Sequence, residues 1–250
     1  QIVAIVFAPV LATHSPTEAD PISSLQPPSF EHWLGTDVSG MDIYSRIIYA
    51  TRVNLLISVV AVAVAFAIGV PVGLLVGYYR GWASTLVMRV FDFIQSFPVF
   101  VLGMALVSVM GQEIWNVAIV LAVLFVPIFA RLIRAEALSL RDRPFIAAAR
   151  CSGATDGQIM FRHILPNAMV STMTFMPFIL TGAIGTLTAL DFLGFGLPAG
   201  SPSLGELVAQ GKANLQAPWL GISAFMVLAI MLTLLVFIGE AARDAFDPTK

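Results

Sequence analysis

The sequence is poor in charge, nearly empty of lysine and histidine, and holds a single cysteine. Thirteen basic and fifteen acidic residues make up 11% of the 250 positions, less than half of the roughly 25% that a soluble domain carries. That scarcity excludes a disordered chain, which needs charge in excess of apolar residues, and a soluble enzyme of ordinary surface. A net charge of −2 supplies no basic field for nucleic acid. Cys151 alone closes no internal disulfide. The two lysines, Lys212 and Lys250, complete no G-x-x-x-x-G-K-[ST] loop, so the chain is expected neither to bind nor to hydrolyse ATP. The three histidines, at 14, 32 and 163, form no H-E-x-x-H pattern and are read as offering no metal cluster. No G-x-S-x-G or Ser–His–Asp arrangement appears, which argues against an intramembrane hydrolase. No catalytic residue, cofactor site or metal site is expected here.

Apolar residues fill the space that charge leaves, at 58% of the chain. Five long intervals carry no charge: 27 residues between Arg52 and Arg80, 20 between Asp92 and Glu113, and 17 between Glu113 and Arg131. Two more hold 28 residues between Arg162 and Asp191 and 27 between Lys212 and Glu240. About 20 apolar residues, rising 1.5 Å each, cross a hydrocarbon core of roughly 30 Å. The runs are continuous rather than alternating, which selects helices over a barrel. A sixth apolar stretch, Gln1 to Ala12, is too short to cross alone. It is read as the outer end of a helix that begins earlier, or else as a buried or interfacial stub. With six spans and both ends inside, ten basic residues lie on the cytoplasmic side and three (Arg46, Arg52, Lys212) outside, as the positive-inside bias requires. The expected fold class is an all-α membrane protein, a bundle of about six transmembrane helices with the first truncated.

Three polar segments interrupt the bundle. The outer one, 13–52, begins with an extended Pro- and Ser-rich run. It continues through Gly35 and Gly40, read as turn formers, to Asp42, a good N-cap. An interfacial helix from Ile43 is expected to feed the next span, the loop serving as an outer gate or a docking surface. The inner one, 141–166, has Pro144 at a first helical turn, a break at Gly153, and Thr155 with Gln158 as a capping box. A second short helix, Gly157 to Leu165, is expected to close at Pro166. This knob, with its patch of alanines, either covers the inner mouth or serves as a handle for a cytoplasmic partner. The third segment, 191–219, is punctuated by Gly194, Gly196, Pro198 and Gly200. Ser203 and Glu206 are read there as a further capping box, starting a helix that dips into the outer vestibule or lies on the surface. Asp92 is expected to pair with Arg89 or cap a helix. Pro71, Pro98, Pro127 and Pro177 are expected to mark kinks.

The knob reads Ala147-Ala148-Ala149-x-x-x-Gly153, then nine residues and His163-Ile164-Leu165-Pro166. It resembles the E-A-A-x-x-x-G…I-x-L-P loop of the inner-membrane subunits of ATP-binding cassette importers. The dipeptide/oligopeptide permease branch is resembled by Phe161-Arg162-His163-Ile164-Leu165-Pro166-Asn167-Ala168 and by Leu34-Gly35-Thr36-Asp37-x-x-Gly40-x-Asp42. Phe192 to Pro198 with Pro202-Ser203-Leu204-Gly205 points the same way. Three positions depart from the family pattern: Ala147 stands for its Glu, His163 for its Ile, and Met41 for its Arg.

The resemblance implies one permease domain, 1–250, of the type I importer kind in a bacterial inner membrane. It also implies coupling to an ATPase through Ala147, Ala148, Ala149, Arg150, Gly153, Ala154, Thr155, Ile159, Leu165 and Pro166. The outer motif would comprise Gly35, Thr36, Asp37, Gly40 and Asp42. The implied partners are a homologous second permease, one or two ATPase subunits that bind ATP and Mg, and a periplasmic or lipid-anchored binding protein. No cofactor would reside in this chain. Peptide is the implied cargo, with nickel, glutathione or opines as alternatives. An ion-gradient-driven transporter or channel is the rival class.

Overall fold

Residues 8–246 are described by the computed structural model, and among them the secondary structure is helical apart from one isolated bridge between Thr36 and Asp42. In chain order the helices are α1 (Ile43–Tyr78), α2 (Trp82–Ser96), α3 (Val99–Met110), α4 (Ile114–Leu140) and α5 (Pro144–Cys151). They are followed by α6 (Asp156–Phe192), α7 (Leu204–Ala213) and α8 (Pro218–Phe246). Four of them, α1, α4, α6 and α8, are long and apolar enough to cross a membrane unaided.

The Asp42 carboxylate accepts the Ser45 N–H at 2.8 Å and starts α1 as expected. The helix then runs unbroken for 36 residues, about 54 Å at 1.5 Å per residue. Among the described residues no separate interfacial helix leads into the span. Ile43 and Ile47 are buried against Leu204, Leu207 and Leu220 rather than turned to a lipid boundary. Packing against protein therefore keeps the first turns in line with the rest.

The interval between Asp92 and Glu113 does not form a straight span. Pro98 has no N–H and pushes Phe97 out of the helical region; Phe97 has ψ 143. The chain bends there by 93° between α2 and α3. Helix α3 has 12 residues, about 18 Å, and so cannot cover the hydrocarbon core alone. The pair nevertheless carries the chain from one end of the bundle to the other. Helix α1 runs parallel to α4, since Gly69 lies against Val126 and Phe129, Gly73 against Ala130, and Gly77 against Ala137. Two parallel neighbours require a return between them, so α2 and α3 together make the crossing. Gln112, just past α3, donates to the Gly194 carbonyl at the far end of α6 at 2.6 Å. Five crossings are thus described. The expectation of a further, opening span falls largely on residues 1–7, which lie outside the described residues; residues 8–11 are helical.

The main core lies between α1, α4 and α6, where Ala65, Leu121, Phe125, Phe129, Ala183 and Leu187 are buried together. Ile184, Leu207, Leu220 and Ala224 join α6 to α7 and α8 in a second cluster. Only 17% of the apolar window of α8 is buried within the chain, so most of its side faces lipid or another subunit. A third cluster, built on Leu74, Ile133, Ile146, Ile159 and Ile164, seats the inner knob on the ends of α1 and α4. Pro71, Pro127 and Pro177 lie inside helices that continue through them.

Candidate functional site

The knob follows local rules closely. Pro144 opens α5, Gly153 takes φ +84 after its end, and Thr155 with Gln158 forms both halves of a capping box. The expected closure at Pro166 is corrected. Helix α6 passes through it, with residues Ile159–Ile164 wound as a π turn and the Leu165 N–H bonded to the Met160 carbonyl. A proline four residues beyond a carbonyl crowds it and offers it no N–H. The wider turn accommodates the ring, and the Asn167 side chain donates to the His163 carbonyl at 2.6 Å.

The knob has two faces. Ile146, Ile159, Met160 and Ile164 are buried against the bundle. Phe145, Ala147, Ala148, Arg150, Gly153, Thr155, Phe161, Arg162 and Pro166 are exposed, and Ala149, Ala154 and Leu165 are partly covered. Of the ten residues singled out here, Ile159 alone is fully buried and serves as an anchor. Tyr78, the last residue of α1, fastens the knob. Its hydroxyl bonds Asp156 at 2.5 Å and accepts from Arg150 at 3.3 Å, and its carbonyl accepts from Arg141 at 2.7 Å. The hydrogen bond to Tyr78 pushes the Arg150 pKa up from its ordinary value.

At the other end of α1 the outer loop is folded onto its own polar groups. Thr36 accepts the Gln26 N–H at 2.8 Å and donates to the Ser23 carbonyl. Asp37 accepts from the Ser39 and Met41 N–H groups at 2.8 and 2.9 Å. Gly40 takes φ +77, and a Cβ there would overlap the Asp20 carbonyl. Gly35, Thr36, Asp37, Gly40 and Asp42 are all buried. They build the loop, and of the five Gly40 and Asp42 reach a cavity wall. Phe30, Trp33 and Val38 are exposed apolar side chains in and beside the motif.

Arg46, which the sequence reading left among the outer charges, is buried in the structure. Its side chain is 1% exposed and pairs with Asp37 at 2.9 Å and Glu206 at 3.1 Å, while Met41 sulfur receives a further N–H. Glu206 therefore does not complete the expected capping box, although Ser203 still accepts its N–H at 3.3 Å. Ser203 itself donates to Asp191 at 2.6 Å, and Asp191 also holds the Leu197 N–H at 2.6 Å. That carboxylate shapes the Gly- and Pro-rich loop, and α7 packs into the bundle rather than lying on its surface.

Two further readings change. Asp92 is nearer to Arg131, at 2.8 Å, than to Arg89, at 3.8 Å. The pair lines a cavity of about 570 Å³ with Gln95, Phe97, Phe125 and Thr186. The histidines do not all stay apart: the His14 and His32 rings lie tilted with centroids 4.8 Å apart beside Asp42, whereas His163 lies on the knob.

A family model for the binding-protein-dependent transport system inner membrane component matches residues 69–250. The peptidoglycan transport system permease protein YejE of Agrobacterium fabrum is 47% identical over 219 residues, covering 88% of this chain and 58% of that protein. The chain thus spans rather more than half the length of that relative. The dipeptide transport system permease protein DppC of Alkalihalophilus pseudofirmus is 40% identical over 246 residues, covering 97% of this chain and 80% of that one. Among solved structures, an inward-facing form of the MetNI methionine ABC transporter superposes with a TM-score of 0.67 at 21% identity. That match covers 81% of this chain and 96% of the other, and it concerns the fold alone.

Proposed function

The chain belongs to the family of binding-protein-dependent transport system inner membrane components, and from that premise we propose that it forms, with a second permease subunit, the peptide pathway of an ATP-driven importer. The observation that carries this reading is the two-faced knob. Its buried isoleucines fix it to the bundle, while Phe145, Ala147, Ala148, Arg150 and Phe161 stay exposed. Such a surface can receive a displacement from the cytoplasm and pass it to the spans.

ATP and Mg belong in this scheme to one or two ATPase subunits seated on the knob. Ala147 stands where the family pattern has an acid, so docking rests on shape and on Arg150 and Arg162. When the ATPases close, the knob moves as a body with α1, α4 and α6, and the pathway opens alternately to either side. The cavity walled by Asp92, Arg131 and Phe125 is this chain's share of that pathway. A binding protein delivers cargo at the outer end, where Phe30 and Trp33 are exposed. The peptide class is favoured by the outer motif and by relatives whose names speak of dipeptides and peptidoglycan.

Reconstitution into vesicles tests the proposal. Labelled peptide should enter with ATP only when the second permease, the ATPases and the binding protein are all present. Gradient-driven uptake by this chain alone would overturn the reading in favour of a secondary transporter. Gly153→Asp gives a sharper check. A Cβ at 153 meets nothing within 4 Å, and Asp tolerates positive φ better than most residues. The variant should insert and fold normally yet fail to retain the ATPase in pull-down. Normal retention and transport would remove the knob from the coupling role.

A further inference from the structure

We propose that His14, His32 and Asp42 form a metal site for a divalent first-row cation of the zinc kind, on the outer face of the bundle. The inference rests on these three residues and their surroundings, and stands or falls apart from the transport reading. Each contributes a ligand atom, and the three atoms lie within 4.8 Å of one another. His32 Nδ1 is 3.0 Å from Asp42 Oδ1, and His14 Nδ1 is 4.0 Å from Asp42 Oδ2. Tetrahedral donors about 2.0–2.1 Å from zinc stand roughly 3.4 Å apart, so the two separations bracket the required value. The ligand atoms stand at most 4.8 Å apart, so closing to that value takes shifts on the order of 1 Å, which fall on His14, whose side chain is 39% exposed.

The chemistry of the donors fits. Two imidazoles and one carboxylate suit zinc, and three protein ligands leave a fourth position open to water. With the metal bound, His32 carries its proton on Nε2 and offers Nδ1. The surroundings favour a cation independently of the ligands. The trio opens on a cavity of about 470 Å³ whose lining adds Glu18, Asp20 and Glu31 and includes no lysine or arginine. The frame is also already in place. Asp42 is fixed as the cap of α1 through the Ser45 N–H, and the His14 N–H bonds Ser45 Oγ at 3.0 Å. A metal here would clamp the segment around residue 14 to the first turn of α1.

The test uses the full chain in complex with its partners, purified without a polyhistidine tag and stripped with EDTA. One equivalent of Co(II) should produce the visible bands of a four-coordinate site, and Zn(II) should displace it stoichiometrically. His14→Ala and His32→Ala should each weaken Zn(II) binding at least about tenfold, the lower end of the cost of losing even a group that only orients a ligand. His163→Ala, at the far end, should leave the titration unchanged. Asp42→Asn keeps an oxygen for the Ser45 N–H while removing the anionic donor. It should lose the metal yet retain the metal-free thermal stability. No stoichiometric binding, or wild-type affinity in both histidine variants, would overturn the assignment.

Discussion

A guanidinium withdrawn from water is tolerated only where carboxylates and other acceptors replace its hydration. Arg46 meets that condition at its two terminal nitrogens, with Asp37 and Glu206 at 2.9 and 3.1 Å, while its Nε is buried without an acceptor. Arg46→Met keeps the volume but leaves Asp37 charged, buried and unpaired. Breaking a buried pair from one side costs about 3–5 kcal/mol, and thermal unfolding in detergent should show that loss. Adding Asp37→Asn to it should recover part of the stability. The pair of Asp92 with Arg131 lies at the opposite extreme, with side chains 47% and 43% exposed. Arg131→Gln should therefore change stability by only about 0–1 kcal/mol; a larger loss would mean that the cavity is closed to water. These two cases also show what a sequence reveals at this scale. The Asp42 cap and the Thr155 box join groups three residues apart, so spacing alone exposes them. Arg46 and Glu206 are 160 positions apart, and nothing local announces their meeting. His14 and His32 were separable from the metal question only by a turn-rich loop whose path the composition does not fix.

Helix contacts obey a different constraint, the distance to which two backbones can close. Gly69, Gly73 and Gly77 repeat every fourth residue and turn one stripe of α1 toward α4. A Cβ on Gly73 would overlap the Ala130 carbonyl, and one on Gly69 would come within 2.7 Å of the Val126 carbonyl. Small residues at this spacing are how membrane helices approach closely. Gly73→Leu should force α1 and α4 apart and cost about 1–3 kcal/mol or more, read as early unfolding in a denaturant series. Gly185→Leu, where a Cβ meets nothing within 4 Å, should cost far less. The G-x-x-x-G-x-x-x-G spacing was in plain view in the sequence, but hydropathy registers the length of a span and says nothing about how near its neighbour lies. Charge-free intervals accordingly located the crossings well. The kink expected at Pro98 is there, but its size of 93° was not legible, since an apolar count is unchanged by a proline that redirects the chain. The π turn at Ile159–Ile164 has a sequence cause in Pro166, but the proline alone does not say whether a helix stops or widens.

Across the whole molecule, α1 is the element that touches both working ends. Its first turns hold Arg46 against Asp37 and Glu206, and its last residue, Tyr78, bonds Asp156 and Arg150 of the inner knob. Under the proposed coupling, a displacement of the knob would reach the outer loop through one helix about 54 Å long, supported along its inner half by the glycine stripe against α4. The resemblance to importer permeases pointed to the knob but implied no route from it; the route proposed here would depend on Tyr78 meeting residues more than seventy positions away. Tyr78→Phe isolates that link. The ring stays in the apolar cluster with Leu74 and Ile146, and each lost hydrogen bond costs only about 0.5–1.5 kcal/mol, so the complex should still assemble. In reconstituted importer the variant should hydrolyse ATP at a rate close to the parent while peptide uptake per ATP falls several-fold. An unchanged ratio of uptake to hydrolysis would place the transmission in α4 or α6 instead. Loss of ATPase binding would show that Tyr78 shapes the docking face rather than passing its movement on.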